Sequence, residues 1–235
     1  MTGNKIEVSC SGMLFDMDGV LLDSTHAVAR VWHQWAIEHG FVPEEVVRAA
    51  HGRPSISTIR DYLPGSDYEA ENRQVERREL ADLEGIVPWP GAIELLRSLP
   101  PERWAIVTSC TRSLAEVRLR AGGLPRPNVF VTSDDIKHGK PAPDAYLKGA
   151  ELLQLNPAEI IVVEDVPAGV HSGKSAGCRV IALRTTMSEA DLRSAGADWI
   201  VEDCRAIFAG RQNSAGEKLT LILDLTKKQP NTNRK

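Results

Sequence analysis

The sequence predicts a doubly wound α/β fold, a Rossmann-like parallel sheet interrupted by an all-helical insert. Two observations carry that prediction. Beyond residue 88, short apolar runs such as Trp104-Ala105-Ile106-Val107 and Ile160-Ile161-Val162-Val163 alternate with segments of helical period. The runs are apolar at consecutive positions, as in parallel strands covered on both faces, and they do not alternate as strands with one wet face do. Residues 25–85, by contrast, carry helical periodicity and no strand pattern.

Taken in order, Val8 to Phe15 reads as the first strand and leads into Asp16-Met17-Asp18-Gly19-Val20. From Thr25 to His39, the residues Val28, Val31, Trp32, Trp35 and Ala36 recur at helical spacing. The three-residue step puts Trp32 and Trp35 on one face, which suits packing better than ligand contact. Pro43 opens a second helix through Ala50, and Pro54 a third to about Leu63. Tyr68 to Glu84 is a charged helix with a seam of Val75, Leu80 and Leu83. Val87-Pro88-Trp89-Pro90-Gly91 then punctuates a boundary.

The second half reads helix Ala92–Leu99, strand Trp104–Thr108, helix Ser113–Ala121 and strand Asn128–Thr132. Helix Ala145–Leu153, strand Ile160–Val163, helix Ala168–Ala176 and strand Arg179–Leu183 follow, before helix Glu189–Ala195 and strand Trp199–Val201. Gly169, Gly173 and Gly177 are read as close packing of their helix on the sheet. Lys218 to Leu225 alternates like an edge strand, and the polar residues from Lys227 on read as disordered. The expected division is an α/β core of 1–23 and 88–210, a helical domain of 24–87, and a C-terminal strand and tail of 211–235.

Composition narrows the function classes. The 235 residues, 42% hydrophobic and 26% charged, are ordinary for a soluble globular protein. A net charge of −4 leaves no basic footprint for nucleic acid. No apolar stretch is long enough to span a membrane, and the first residues lack a signal-peptide pattern. Cys10, Cys110, Cys178 and Cys204 are scattered, which argues against disulfides and zinc and for buried free thiols in the cytoplasm. A monomer is expected.

Chemistry collects at strand ends, where open parallel sheets bind ligands. The first strand delivers Asp16 and Asp18, two acids ahead of the turn-forming Gly19, a pair whose mutual repulsion a divalent cation would relieve. The second ends in Thr108-Ser109, small hydroxyls suited to an anion's oxygens. The third leads through Asp134-Asp135 to Gly139-Lys140-Pro141-Ala142-Pro143-Asp144, and the fourth ends in Glu164-Asp165. Singly each has a bland reading. Lys140 could be solvated, Thr108 a helix cap, and Glu164-Asp165 a pair at a helix start. Together, on one rim, they suit a phosphate monoester. Asp16 and Asp165 hold Mg²⁺, one carboxylate attacks phosphorus, a second carboxyl handles the proton, and Lys140 and Thr108 hold the phosphoryl oxygens.

These stretches resemble the four motifs of the haloacid dehalogenase superfamily: Phe15 to Leu21, Val107-Thr108-Ser109, Gly139 to Asp144, and Val163-Glu164-Asp165 with Pro167-Ala168-Gly169. The likeness spans residues 10–205. It implies Asp16 as nucleophile, kept ionised, and Asp18 as general acid/base, holding or sharing a proton. It implies Thr108, Ser109 and Lys140 as phosphate-binding groups, and Mg²⁺ held by Asp16, Asp165 and the Asp18 carbonyl. Glu164 becomes a ligand or a neighbour of one, Asp144 a brace for the lysine loop, and the helical insert a cap that closes over the site.

Within that family, an acid two residues after the nucleophile favours phosphoryl transfer over dehalogenation. The phosphomutases carry a cap histidine where this chain has Val28, although His26 is close by. The nearest likeness is to the 2-deoxyglucose-6-phosphate and glycerol-phosphate phosphatases, with His51-Gly52-Arg53 as the loop that inspects the leaving group. Arg53 could equally be solvated. The implied function is Mg²⁺-dependent hydrolysis of a small phosphorylated sugar or polyol. A sugar phosphomutase and a non-catalytic binding protein of the same fold are the alternatives.

Overall fold

A computed structural model describes residues 5–50, 53–210 and 218–226. Its centre is β2 (Gly12–Phe15), four buried residues between two parallel neighbours, β5 (Trp104–Val107) and β7 (Ile160–Glu164). Outside these lie β6 (Val129–Val131) on one side, and β8 (Arg179–Leu183) and β9 (Trp199–Val201) on the other. The order is therefore β6-β5-β2-β7-β8-β9, parallel throughout. The chain winds one way from β2 to β6, then returns to β7 and winds the other way. The switch falls between β2 and β7, which places Asp16 beside Glu164 and Asp165.

Alternation along the strands divides the core into two layers. Met13, Phe15, Ile106, Ile161 and Val163 face the helices α5 (Ala92–Ser98) and α6 (Arg112–Ala121). Leu14, Ala105, Val107, Val162 and Val180 face α7 (Asp144–Leu153), α8 (Pro167–Ser175) and α9 (Glu189–Ser194). Gly173 belongs to this packing, since a Cβ there would lie 3.0 Å from Val180 and 3.2 Å from Val162.

Between β2 and α5 the chain leaves the sheet and returns through two short strands, β3 (Leu22–Asp23) and β4 (Val87–Pro88), which pair with each other. Four helices lie between them: α1 (Thr25–Glu38), α2 (Pro43–Ala50), α3 (Ser55–Tyr62) and α4 (Tyr68–Ala81). They surround a core of their own in which Trp32, Trp35, Val46, Ile59 and Val75 are buried. The tryptophans meet edge to face at 5.3 Å, so both pack as expected, and Trp32 also borders the cavity described below. The last helix stops at Ala81, short of the expected Glu84, and Asp82 turns to pair with Arg30 at 2.6 Å.

Two expectations need correction. Val8–Phe15 is not one strand. The chain breaks at Ser11, whose backbone N–H donates to Glu159, and residues before the break form β1 (Lys5–Cys10) in a different sheet. The burial pattern explains the split: β1 buries alternate residues, while β2 is buried on both faces. Nor is the C-terminal strand an edge. β11 (Leu219–Asp224) lies between β1 and β10 (Ile207–Ala209) in a three-stranded antiparallel sheet, burying Leu219, Leu221 and Leu223. Its alternation records one covered face, and both of its edges are paired. The tail expected to be disordered, from Lys227 on, lies outside the described residues.

If β11 is a core strand, Leu221→Ala should lower stability by about 3 kcal/mol, as large-to-small changes do at fully buried leucines. An edge strand would lose well under half of that. The midpoint of urea unfolding distinguishes the two.

Candidate active site

The turn after β2 is set by Gly19, which has φ +88° and no room for a side chain, since a Cβ would lie 2.0 Å from Asp165 Oδ2. Leu21 and Leu22 donate their N–H groups to the Met17 carbonyl, closing the turn under the site. Asp16 continues the sheet ladder by donating its N–H to Val163. Its carboxylate therefore stands next to those of Glu164 and Asp165. The three offer oxygens within 4.8 Å of one another, and all three residues are buried.

Lys140 threads into this cluster. Its ammonium group donates to Asp16 Oδ1 at 2.5 Å, to Glu164 Oε1 at 2.6 Å and to the Val107 carbonyl at 3.3 Å. The loop that carries it is braced at both ends: His138 donates to Asp144, and Ser172 to the Ala142 carbonyl. Glu164 is fully occupied. Tyr146 also donates to Oε1, at 2.6 Å, and the Asp165 N–H donates to Oε2 at 3.0 Å. Gly169 makes room for it, since a Cβ there would sit 1.9 Å from the Glu164 carboxylate. The helix that carries the three spaced glycines thus approaches for two reasons, strand packing at Gly173 and carboxylate clearance at Gly169.

Electrostatics leave this cluster short of positive charge. Burial pushes the Asp16 carboxyl up to about 8, against the pull of Lys140 and with further push from Glu164 and Asp18. Burial, Glu164 and Asp16 push Asp165 well above the usual carboxylate range. Burial alone would lower Lys140, but Asp16 and Glu164 more than reverse it, so the lysine stays charged. Asp165 Oδ2 accepts from Thr186, whereas its Oδ1 is buried without a partner. Asp16 was expected to be ionised. Burial and the neighbouring carboxyls favour its protonated form, Lys140 opposes them, and a further cation would favour the ionised form.

Asp18 is not one of the three clustered carboxyls. Its carboxylate faces the Arg118 guanidinium at 3.2 Å and accepts from the Cys110 thiol. Arg118, from α6, is 3% exposed and also reaches Glu79 of α4 at 3.3 Å, so one buried cation joins Asp18 to the helical layer. Sequence reasoning missed Arg118, Tyr146, Glu79 and the hydroxyls of Thr185 and Thr186, which brace the Gly19 carbonyl and Asp165. The last two follow a strand on the same rim and were open to the strand-end test. Nothing in the sequence separates Arg118 from Arg120 beside it.

These groups border a cavity of about 170 Å³ between the sheet rim and the helical layer. Thr108, buried, and Ser109, half-buried, line it with Asp16, Asp18, Lys140, Glu164 and Asp165. Arg53 lines it from the helical side while pairing with Asp61 at 2.8 Å. His51 and Gly52 lie outside the described residues. Val28 faces the cavity, but His26 is exposed and does not line it. Asp134 and Asp135 serve the scaffold, accepting from Arg112. Of the four free cysteines Cys110 is only half-buried, so the expectation of buried thiols fails there.

The haloacid dehalogenase-like hydrolase family matches residues 13–183. The chain belongs to that family. It is 50% identical to hexitol phosphatase A of Escherichia coli (strain K12), over 74% of this chain and 83% of that one. Glycerol-1-phosphate phosphohydrolase 2 of Saccharomyces cerevisiae is 32% identical over 95% and 94%. Among solved structures, a putative β-phosphoglucomutase from Thermotoga maritima superposes with a TM-score of 0.64 at 28% identity, over 83% and 95%. The chain is thus a hydrolase by family, and the relatives named as phosphatases match it over most of their length. Among the described residues no helix is long and apolar enough to cross a membrane.

Removing Arg118 should leave the buried Glu79 and the half-buried Asp18 without the cation they share. Arg118→Met should destabilise the protein by about 3–5 kcal/mol, and adding Glu79→Gln should recover part of the loss. A double-mutant cycle by chemical denaturation measures both.

Proposed function

We propose that the chain is a Mg²⁺-dependent phosphatase that hydrolyses a small phosphorylated sugar or polyol through an aspartyl-phosphate intermediate. The observation that supports it best is the cluster of three buried carboxyls that one lysine does not balance, with Asp165 Oδ1 left unpartnered. Hard oxygen donors in that number suit Mg²⁺. Asp16 and Asp165 would hold it with the Asp18 carbonyl. Glu164, whose oxygens both accept from neighbours, would orient Lys140 and the Asp165 backbone. When bound, the ion would neutralise the cluster and the phosphoryl oxygens.

The protein's own groups then divide the work. Asp16 Oδ1 is tied to Lys140, which leaves Oδ2 to attack phosphorus. The P–O bond to the alcohol breaks, and Asp18, which must enter this step protonated, gives its proton to the departing alkoxide. A water then attacks the phosphorus of the aspartyl phosphate and gives its proton to Asp18, releasing phosphate and restoring Asp16. Lys140 balances charge on Asp16 and the phosphoryl group, and Thr108 and Ser109 bind its oxygens. The four helices would act as the cap, with Arg53 in the loop that meets the leaving group. The names of the relatives, hexitol and glycerol-1-phosphate phosphatases, support a polyol phosphate as substrate. Four free cysteines suit the reducing cytoplasm.

The mutase reading rests on the β-phosphoglucomutase-like neighbour. Against it, the cavity presents Val28 where that chemistry uses a histidine, and His26 points outward. Free phosphate, with no isomerised ester, is the product expected.

Two measurements test the proposal. Asp16→Asn should abolish phosphate release with Mg²⁺ present, by at least about 10³-fold, while Asp18→Asn should cost about 10²–10⁴-fold. Full activity in the Asp16 variant would sink the mechanism. The second concerns pH. In metal-free protein the Asp16 carboxyl is raised from 3.8 to about 8, so its contribution to stability is present below the lower value and lost as pH rises toward the upper one. Mg²⁺ offsets that loss. Its stabilising effect, read as a shift in Tm, should therefore grow from pH 6 to pH 8, by at most about 1.4 kcal/mol per pH unit. A shift that is flat or shrinks over that range counts against Asp16 as a ligand.

A further inference from the structure

Helix α4 places Asn72, Glu76 and Glu79 at steps of four and three, hence on one face, and all three line the cavity. Val75, between Asn72 and Glu79 on the same helix, borders that face and is buried in the core of the helical layer. Glu79 is taken up by Arg118. Glu76 is half-buried. Its Oε1 accepts from Thr111, the residue that caps α6 across the cavity, and among the described residues Oε2 has no partner. Asn72 Oδ1 accepts from Ser55 at 2.5 Å, which leaves the Asn72 amide N–H groups as donors. The α4 side of the cavity therefore offers a charged acceptor and a neutral donor a turn apart.

Among the described residues that line the cavity the cations are Lys140, Arg118 and Arg53. Lys140 is committed to Asp16 and Glu164, Arg118 is buried between Asp18 and Glu79, and Arg53 is paired with Asp61. A second anionic group on the substrate would thus meet the Glu76 carboxylate with Lys140 and Arg118 committed and only Arg53, in an exposed pair with Asp61, to offset it.

We infer that Glu76 and Asn72 select the leaving group. They bind the hydroxyls of an uncharged polyol and reject substrates with a second phosphate or a carboxylate. The inference rests on the phosphatase reading and narrows its substrate to monoanionic-site esters, that is, esters whose only anionic group is the phosphate to be removed. Two hydroxyls on neighbouring carbons can donate to Glu76 and accept from Asn72, whereas a like charge beside Glu76 is repelled in a partly dry cavity.

The test is a phosphate-release panel with Mg²⁺ on a hexitol monophosphate, the corresponding bisphosphate, phosphoglycolate and phenyl phosphate. Wild type should favour the hexitol monophosphate over the bisphosphate and phosphoglycolate by about 100-fold in kcat/KM. Glu76→Gln should narrow that ratio about tenfold and raise KM for the hexitol ester more than for phenyl phosphate, which has no hydroxyl. Asn72→Asp adds charge to the same face and should widen the ratio. Raising ionic strength should narrow it in wild type and less in Glu76→Gln. Equal turnover of monophosphate and bisphosphate by wild type, or a ratio that Glu76→Gln leaves unmoved, overturns the inference and spares the phosphatase reading. Release from none of the esters overturns both.

Discussion

Asp16, Glu164 and Asp165 hold three carboxyls within 4.8 Å of one another in the protein interior, with the Lys140 ammonium bonded to two of them. Ionised carboxylates removed from water are expensive unless paired and hydrogen-bonded, and one lysine does not balance three. The surrounding structure keeps this cluster from relaxing. Tyr146, whose own ionisation is suppressed by burial and the nearby carboxylates, acts as a fixed donor to Glu164. Thr186 holds Asp165, and the glycines at 19 and 169 let backbone come where a Cβ would collide with a carboxylate. The sheet's switch point is what makes the arrangement possible at all. Only adjacent strand ends from the two winding directions bring Asp16 and Asp165 side by side without a long loop between them.

That explains which parts of the site were legible. Asp16, Asp18, Thr108, Lys140, Glu164 and Asp165 each follow an apolar strand or its loop, so the change of period marks the residue and the topology brings them together. Tyr146 and Arg118 lie inside amphipathic helices, where a buried polar residue occupies a position that periodicity assigns to packing. Their roles depend on a partner more than fifteen residues away in each case, Glu164 and Asp18, and no local pattern encodes that distance. The strand errors have a related origin. Ser11 separates an alternating segment, Lys5–Cys10, covered on one face, from the continuous run Gly12–Phe15, covered on both, and β11 alternates because of a neighbour layer that lies far away in the chain.

The helical layer meets the sheet rim differently from the way the layers of the sheet domain meet each other. Within the core the contacts are aliphatic, as between Met13, Phe15, Ile106 and Ile161. Over the cavity they are polar: Arg118 with Glu79, Thr111 with Glu76, and Ser55 with Asn72 within the helical layer itself. An apolar seam would resist opening in proportion to its area, at about 25 cal/mol per Å². Ion pairs and hydrogen bonds across a seam come close to breaking even on exposure, because water takes up what each group gives up. Leu22 and Asp23 pair with Pro88 and Val87, so both connections leave the sheet domain as one narrow ribbon.

A polar seam also sets what the cavity can discriminate. On the proposed reading, each hydroxyl that a substrate offers to Glu76 or Asn72 replaces water on a half-buried group, so a ligand lacking it leaves an acceptor or donor less well met. The apolar part of the lining, including Val28, Trp32, Ile56 and Leu114, makes no such demand. The groups that join the helical layer to the rim are therefore the same groups that, on the proposed reading, would penalise a poorly matched ester. In this chain they are concentrated on one face of α4, four and three residues apart.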